Sequence, residues 1–137
     1  MNAAVVAGLR AARERGATTA VVVPGDVPLI AVSDFEVLLN AAGTAERAVI
    51  VGGSHDGEGT NALLLRPPEV IAPGFGPPSL QRHLQAGQRA GAFTQACADL
   101  GLALDVDTPG DLAILQASHP ARYTAAVLSD LACVLEI

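Results

Sequence analysis

Acidic residues that close apolar runs are the first feature of this sequence able to do chemistry. In "VVVPGDVPLI", residues 21–30, Asp26 follows the β-branched run Val21–Val23 and is framed by Pro24 and Pro28. In "LALDVDTPGDLAIL", Asp105 and Asp107 close a second short apolar run. Carboxylates converging from two strand ends suit Mg²⁺, a hard cation held by one or two carboxylates together with substrate phosphates. A plainer reading makes Asp26 a turn residue after Pro-Gly and Asp107 the approach to a helix cap at Thr108. Spacing alone leaves both open.

The elements that must position these acids follow from patterning. Residues 2–15 place Val5, Val6, Leu9 and Ala12 on one helical stripe, and Gly16 suits its end. Thr19–Val23 reads as a strand. "SDFEVLLNAAG" has Ser33 and Glu36 at capping-box spacing and stops at Gly43, so a helix is expected. Arg47–Val51 is the next strand, followed by the loop "GGSHDGEGT" and a third apolar run, Ala62–Leu65. A helix capped by Ser79, a possible strand in "AFTQACA", a short strand before Asp107, and a helix with Thr108 as cap, Pro109 first and Asp111 third come next. The stretch from Ala121 reads as helical. Helices alternating with short apolar runs imply an α/β domain over residues 1–137 with a doubly wound, mostly parallel sheet. In such sheets ligands bind outside the carboxyl ends of the strands, where Asp26 and the Asp105–Asp107 pair are expected.

Composition narrows the function. The chain has 137 residues, 50% of them hydrophobic, enough for one domain with a real core. Its eight cationic residues are all Arg, against 14 acids and a net charge of -6, which excludes a basic footprint for nucleic acid or an anionic membrane. An anionic ligand would need a metal or backbone N–H groups. Cys97 and Cys133 lack CxxC spacing and read as small, reduced core residues. No stretch reaches the roughly 18 apolar residues of a membrane span. A cytoplasmic protein is expected.

Four segments in order, "VVVPGDVPLI", "GEGTNALLLRPP", "FGPPSLQRH" and "LALDVDTPGDLAIL", resemble the 2-phospho-L-lactate guanylyltransferase family of coenzyme F-420 biosynthesis, over nearly all the chain up to about Leu115. "GDVPL" and "DVDTPGDL" are shared widely among nucleotidyltransferases of the glycosyltransferase-A-like fold. "GTNALLLRPP" followed by "FGPPSLQRH" is far more specific. The resemblance implies Mg²⁺-dependent transfer of GMP from GTP to 2-phospho-L-lactate, or to phosphoenolpyruvate in actinobacterial relatives, with release of pyrophosphate. Two other readings are a non-catalytic remnant binding a phosphorylated acid and a related nucleotidyltransferase with another base or acceptor.

By that resemblance Asp26 is the first metal-binding acid, and the second comes from Asp105 and Asp107, with Asp107 preferred. Thr60, Asn61, Gly76 and Ser79 match positions contacting the phosphorylated acceptor. Gly57 and Gly59 would let the backbone approach an anion, and Ser79 adds a hydroxyl at a helix N-terminus. His83, one turn into that helix, reads as a supporting or packing residue. His55 and His119 read as surface residues. Arg66 and Arg82 are candidates to screen the acceptor phosphate, with solvated arginines the plainer reading.

Two departures stand out. Gly53 and Ser54 replace the Pro-Asp that commonly precedes the glycine-rich loop of this family. Family members also begin with a strand and a basic, Gly-rich nucleotide loop, and Met1 falls about a third of the way along. The chain is therefore expected to be N-terminally truncated, the C-terminal two-thirds of a nucleotidyltransferase domain, inactive alone and prone to self-association.

Overall fold

The computed structural model describes residues 2–98, 101–118, 120 and 122–135. Its elements run α1 (Asn2–Glu14), β1 (Ala20–Val22), α2 (Val32–Ala42), β2 (Ala48–Gly53), β3 (Thr60–Arg66), α3 (Ser79–Arg89), β4 (Phe93–Cys97), α4 (Pro109–Ala117) and α5 (Arg122–Leu135). Four strands form one sheet in the order β1-β3-β2-β4.

Strands β2 and β3 lie centrally and read as nearly unbroken apolar runs because both faces are covered. On one face Ala48, Ile50, Ala62 and Leu64 pack with Leu38 and Ala42 of α2. On the other, Val49, Val51, Leu63 and Leu65 pack with Leu9 of α1 and, at its margin, Leu80 and Leu84 of α3. Each fully buried Val, Leu or Ile among them is worth about 1.5–3 kcal/mol. A smaller cluster of Leu104, Leu115 and Leu128 joins α4 and α5 to the loop that precedes them.

The sheet is mixed, where the alternation of elements implied mostly parallel pairing. Among the described residues only β2–β4 is a parallel pair; β1–β3 and β2–β3 are antiparallel. The cause is the short connection 54–59, which can join β2 to β3 only as a hairpin, since a parallel return needs a long crossover. Thus β1, β2 and β4 run one way and β3, inserted between β1 and β2, runs the other. The start of β3 consequently lies at the same end of the sheet as the finish of β1 and β2, with Gly53 opposite Thr60.

Three local expectations also change. Among the described residues no strand forms immediately before Asp107: residues 101–108 are turns, bends and chain without regular secondary structure. Their polar groups go to neighbouring loops instead of a ladder, as Val106 N–H donates to the Asp26 carbonyl at 3.1 Å and His55 N–H to the Ala103 carbonyl at 2.8 Å. Helix α2 starts at Val32, so Ser33 lies inside it, and the Asp34 carboxylate accepts the Ala31 N–H at 2.7 Å. Helix α3 has Pro78 as its cap residue and no side-chain cap, so Ser79 is its first residue rather than its cap. The Thr108 cap is present, with Asp111 N–H donating to Thr108 Oγ1 at 3.2 Å and the Asp111 carboxylate accepting the Thr108 N–H at 2.8 Å. Cys97 is a buried free thiol whose pKa burial pushes up. His119 and the side-chain surroundings of Cys133 lie outside the described residues.

Candidate functional site

A cleft of about 250 Å³ opens where β1 and β2 finish and β3 starts. Asp26, Thr60, Asn61, Gly76, Ser79, Asp105 and Asp107 all line it, together with Ser54, Asp56, Phe75 and others. Four carboxylates border this space. No Arg, Lys or His is among its lining residues.

Backbone contacts bring the acids from distant parts of the chain together. The Val106 N–H bonded to the Asp26 carbonyl sets residue 26 beside the segment carrying Asp105 and Asp107. Gly101 makes a second close approach: a Cβ there would lie 2.4 Å from the Leu29 carbonyl oxygen and 2.9 Å from Asp34 Oδ2. The Gly101 N–H donates to Asp34 Oδ1 at 3.1 Å, so one buried carboxylate caps α2 and holds the acid-bearing loop against it.

The three candidate metal acids differ in their engagements. Asn61 is buried and its amide nitrogen donates to the Ala103 carbonyl at 3.2 Å and to Asp105 Oδ1 at 3.3 Å. Asp105 also lies 3.7 Å from His55 Nδ1. Asp26 and Asp107 are exposed, and among the described residues no donor engages either carboxylate. Asn61 therefore serves to hold Asp105 and its loop, a duty that its position beside the glycine-rich loop did not signal.

The glycine-rich loop uses its own donors. Glu58 N–H donates to Asp56 Oδ1 at 2.9 Å and Gly59 N–H to Ser54 Oγ at 2.7 Å, while the Ser54 hydroxyl donates to Asp56. Those bonds, the Ser54 hydroxyl first and the Glu58 N–H next, hold the Asp56 carboxyl below its ordinary pKa of 3.8. The N–H groups of Glu58 and Gly59, and that of Gly57, which donates to the Ser54 carbonyl at 2.9 Å, are thus engaged within the loop. Leu80 N–H, near the start of α3, donates to the Glu58 carbonyl at 3.1 Å and fastens loop to helix.

On the opposite wall, Gly76 has φ 101°, a conformation that favours glycine, next to Pro77 and the cap residue Pro78. Asn2 of α1 braces this wall by accepting the Phe75 N–H at 2.8 Å and donating to the Phe75 carbonyl at 3.3 Å. Arg82 donates to the Gly74 and Gly76 carbonyls at 2.8 and 3.1 Å, and Arg66 donates to Thr19 Oγ1 and the Gly43 and Ala45 carbonyls at 2.9–3.1 Å. Both arginines are struts, and neither lines the cleft. His83 is fully buried behind the lining, with Nδ1 3.0 Å from Thr60 Oγ1 and Nε2 accepting the Gly74 N–H at 2.9 Å.

Residues missed from sequence were Ser54, Asp56 and Asn2. The Ser-x-Asp-Gly pattern of 54–57 is an Asx-turn signal that could have found the first two. Nothing local marks Asn2, whose partner is 73 residues away.

Residues 2–135 match the family model described as "Guanylyl transferase CofC like". The chain is 44% identical over 123 residues to the phosphoenolpyruvate guanylyltransferase of Rubrobacter xylanophilus, a match covering 90% of this chain and 60% of that protein. It is 41% identical over 115 residues to the enzyme of the same name from Conexibacter woesei, covering 84% and 52%. It is 37% identical over 133 residues to the 3-phospho-D-glycerate guanylyltransferase of Phenylobacterium zucineum, covering 96% and 60%. The chain thus spans 52–60% of the length of these relatives. With a family match running almost end to end, this chain belongs to the CofC-like guanylyl transferase family.

Proposed function

We propose that this chain forms the acceptor- and metal-binding part of a guanylyltransferase that moves GMP from GTP onto a small phosphorylated acid, phosphoenolpyruvate or 2-phospho-L-lactate, in coenzyme F-420 biosynthesis. The observation that carries this reading is the composition of the cleft: the hydroxyl residues Ser54, Thr60 and Ser79 with Gly59 and Gly76, bordered by four carboxylates and no cationic side chain. An anionic ligand enters such a site only with a cation. The donor set fits Mg²⁺, because it is all oxygen and because two of its carboxylates, Asp26 and Asp107, are exposed and unengaged among the described residues. Asp105, held by Asn61, stands beside them. Among the described residues no group of three or more His, Cys, Asp or Glu could hold a metal, so the proposed ion is held by no more than two of these carboxylates, with phosphate oxygens and waters completing its shell.

Bound there, Mg²⁺ supplies charge neutralisation and orientation of the phosphates. The protein supplies no nucleophile: an oxygen of the acceptor phosphate attacks the α-phosphorus of GTP in line, one P–O bond forms, another breaks, and pyrophosphate leaves. Thr60 and Ser79 hold the acceptor, and Gly76 lets the backbone pass close to it. The catalytic effect is positioning and electrostatics. A glycosyltransferase-A-like architecture, a cytoplasmic setting and self-association through β1 complete the proposal. The names of the relatives support the acceptor class, since they specify phosphoenolpyruvate and 3-phospho-D-glycerate. Calorimetric titration tests it: phosphoenolpyruvate binds in Mg²⁺, and Ser79→Ala weakens binding tenfold or more while the protein stays folded. Unchanged affinity in Ser79→Ala refutes the placement of the acceptor.

A further inference from the structure

His83 touches no solvent and does not line the cleft, yet it joins three elements that build it. Its ring sits on α3, its Nδ1 is 3.0 Å from Thr60 Oγ1 at the start of β3, and its Nε2 is 2.9 Å from the Gly74 nitrogen in the segment leading to Gly76. The Phe75 ring, itself part of the cleft wall, packs edge-on against it with centroids 5.2 Å apart.

These contacts fix where the protons are. A backbone N–H can only donate, so Nε2 must present a lone pair to Gly74. A neutral imidazole accepting at Nε2 carries its proton on Nδ1, and the Nδ1–H then donates to Thr60 Oγ1. With that lone pair taken, the Thr60 hydroxyl proton points away from His83. Thr60 lines the cleft.

We propose that His83 is a positioning residue that, protonated on Nδ1 alone, orients the Thr60 hydroxyl as a hydrogen-bond donor into the cleft and so selects ligands presenting an anionic oxygen there. This rests on the acceptor site proposed above and deepens it. The favoured ligand atom is a phosphate or carboxylate oxygen, because the one Thr60 proton is left free to donate and a hydrogen bond to an anionic acceptor is stronger than one to a neutral group. A charged ring would bring a second N–H against the Gly74 N–H, and burial accordingly lowers the His83 pKa to about 4, with the nearby Arg82 charge acting in the same direction.

Two measurements test the proposal. Nitrogen-15 and proton NMR of histidine-labelled protein at pH 7 should show His83 neutral and protonated on Nδ1. A ring protonated on Nε2, or on both nitrogens, overturns the proposal whether or not any ligand binds. In titrations with phosphoenolpyruvate and Mg²⁺, His83→Asn, whose amide nitrogen can replace Nδ1–H, should keep affinity within about threefold. His83→Gln, whose amide reaches the Nε2 position, should lose about tenfold or more, the size expected for a hydrogen bond to a charged group. Equal affinities in the two folded variants refute the orienting role. Failure of the wild-type protein to bind, with the Nδ1–H form present, refutes the acceptor reading and leaves the proton assignment standing.

Discussion

Asp26 and Asp107 carry charge into the cleft while doing little for the fold. Asp26→Asn removes ligand charge at an exposed position without changing shape, so its thermal midpoint should match the wild type while Mg²⁺-dependent binding of phosphoenolpyruvate disappears. Near-normal binding in that variant would count against the metal role. Asn61 is the opposite case. Buried, and donating to both the Ala103 carbonyl and Asp105, it should cost about 1–3 kcal/mol on replacement by Ala, read as a lower midpoint in denaturant. His83 adds a pH signature. The unfolded chain takes up its proton near pH 6.5 and the folded chain near pH 4, so acidification between these values favours unfolding and the stability is restored as pH rises. Thermal midpoints measured from pH 7 to 4.5 should fall, and His83→Asn should flatten the decline. The carboxyls of Asp56 and Asp111, both held below 3.8 by hydrogen bonds, stabilise above that value and lose their effect as pH falls further, outside this window.

At the scale of elements, local signals were legible and distant ones were not. The α4 start was readable because Thr108, Pro109 and Asp111 act within one turn. The α2 start was misread because Asp34 answers to Gly101, 67 residues away, as well as to Ala31. The acids of "LALDVD" line the same cleft as Asp26, not by way of the expected strand but through loop-to-loop bonds. The reversal of β3 was written in the length of the 54–59 loop, a topological cue that hydrophobic runs alone do not carry. His83 was visible as a helical residue, while its partners Thr60 and Gly74 became visible only in three dimensions. Gly101 is the position where elements meet most tightly. Gly101→Ala puts a methyl group into the Leu29 carbonyl and the Asp34 carboxylate, so a loss of about 1–3 kcal/mol is expected in chemical denaturation. Wild-type stability in that variant would mean the two loops are less closely apposed.

At the scale of the whole molecule, one edge and one cleft define behaviour. Among the described residues β1 pairs only with β3, and its valines lie beside a cavity of about 340 Å³ under α1 lined by Val5, Leu9 and Val21–Val23. An uncharged apolar edge of this kind invites strand pairing. Sedimentation velocity should show association that grows with concentration and is suppressed by Val21→Lys. A monomer at every concentration would remove the edge as an association site. The central claim, that the cleft takes a phosphorylated acid together with Mg²⁺, is tested most directly by amide chemical-shift mapping of the wild-type protein with phosphoenolpyruvate. With Mg²⁺ present, shifts should concentrate at Asp26, Thr60, Asn61, Gly76, Ser79 and Asp105–Asp107 and vanish when the metal is chelated; shifts centred elsewhere, or none in Mg²⁺, would contradict it.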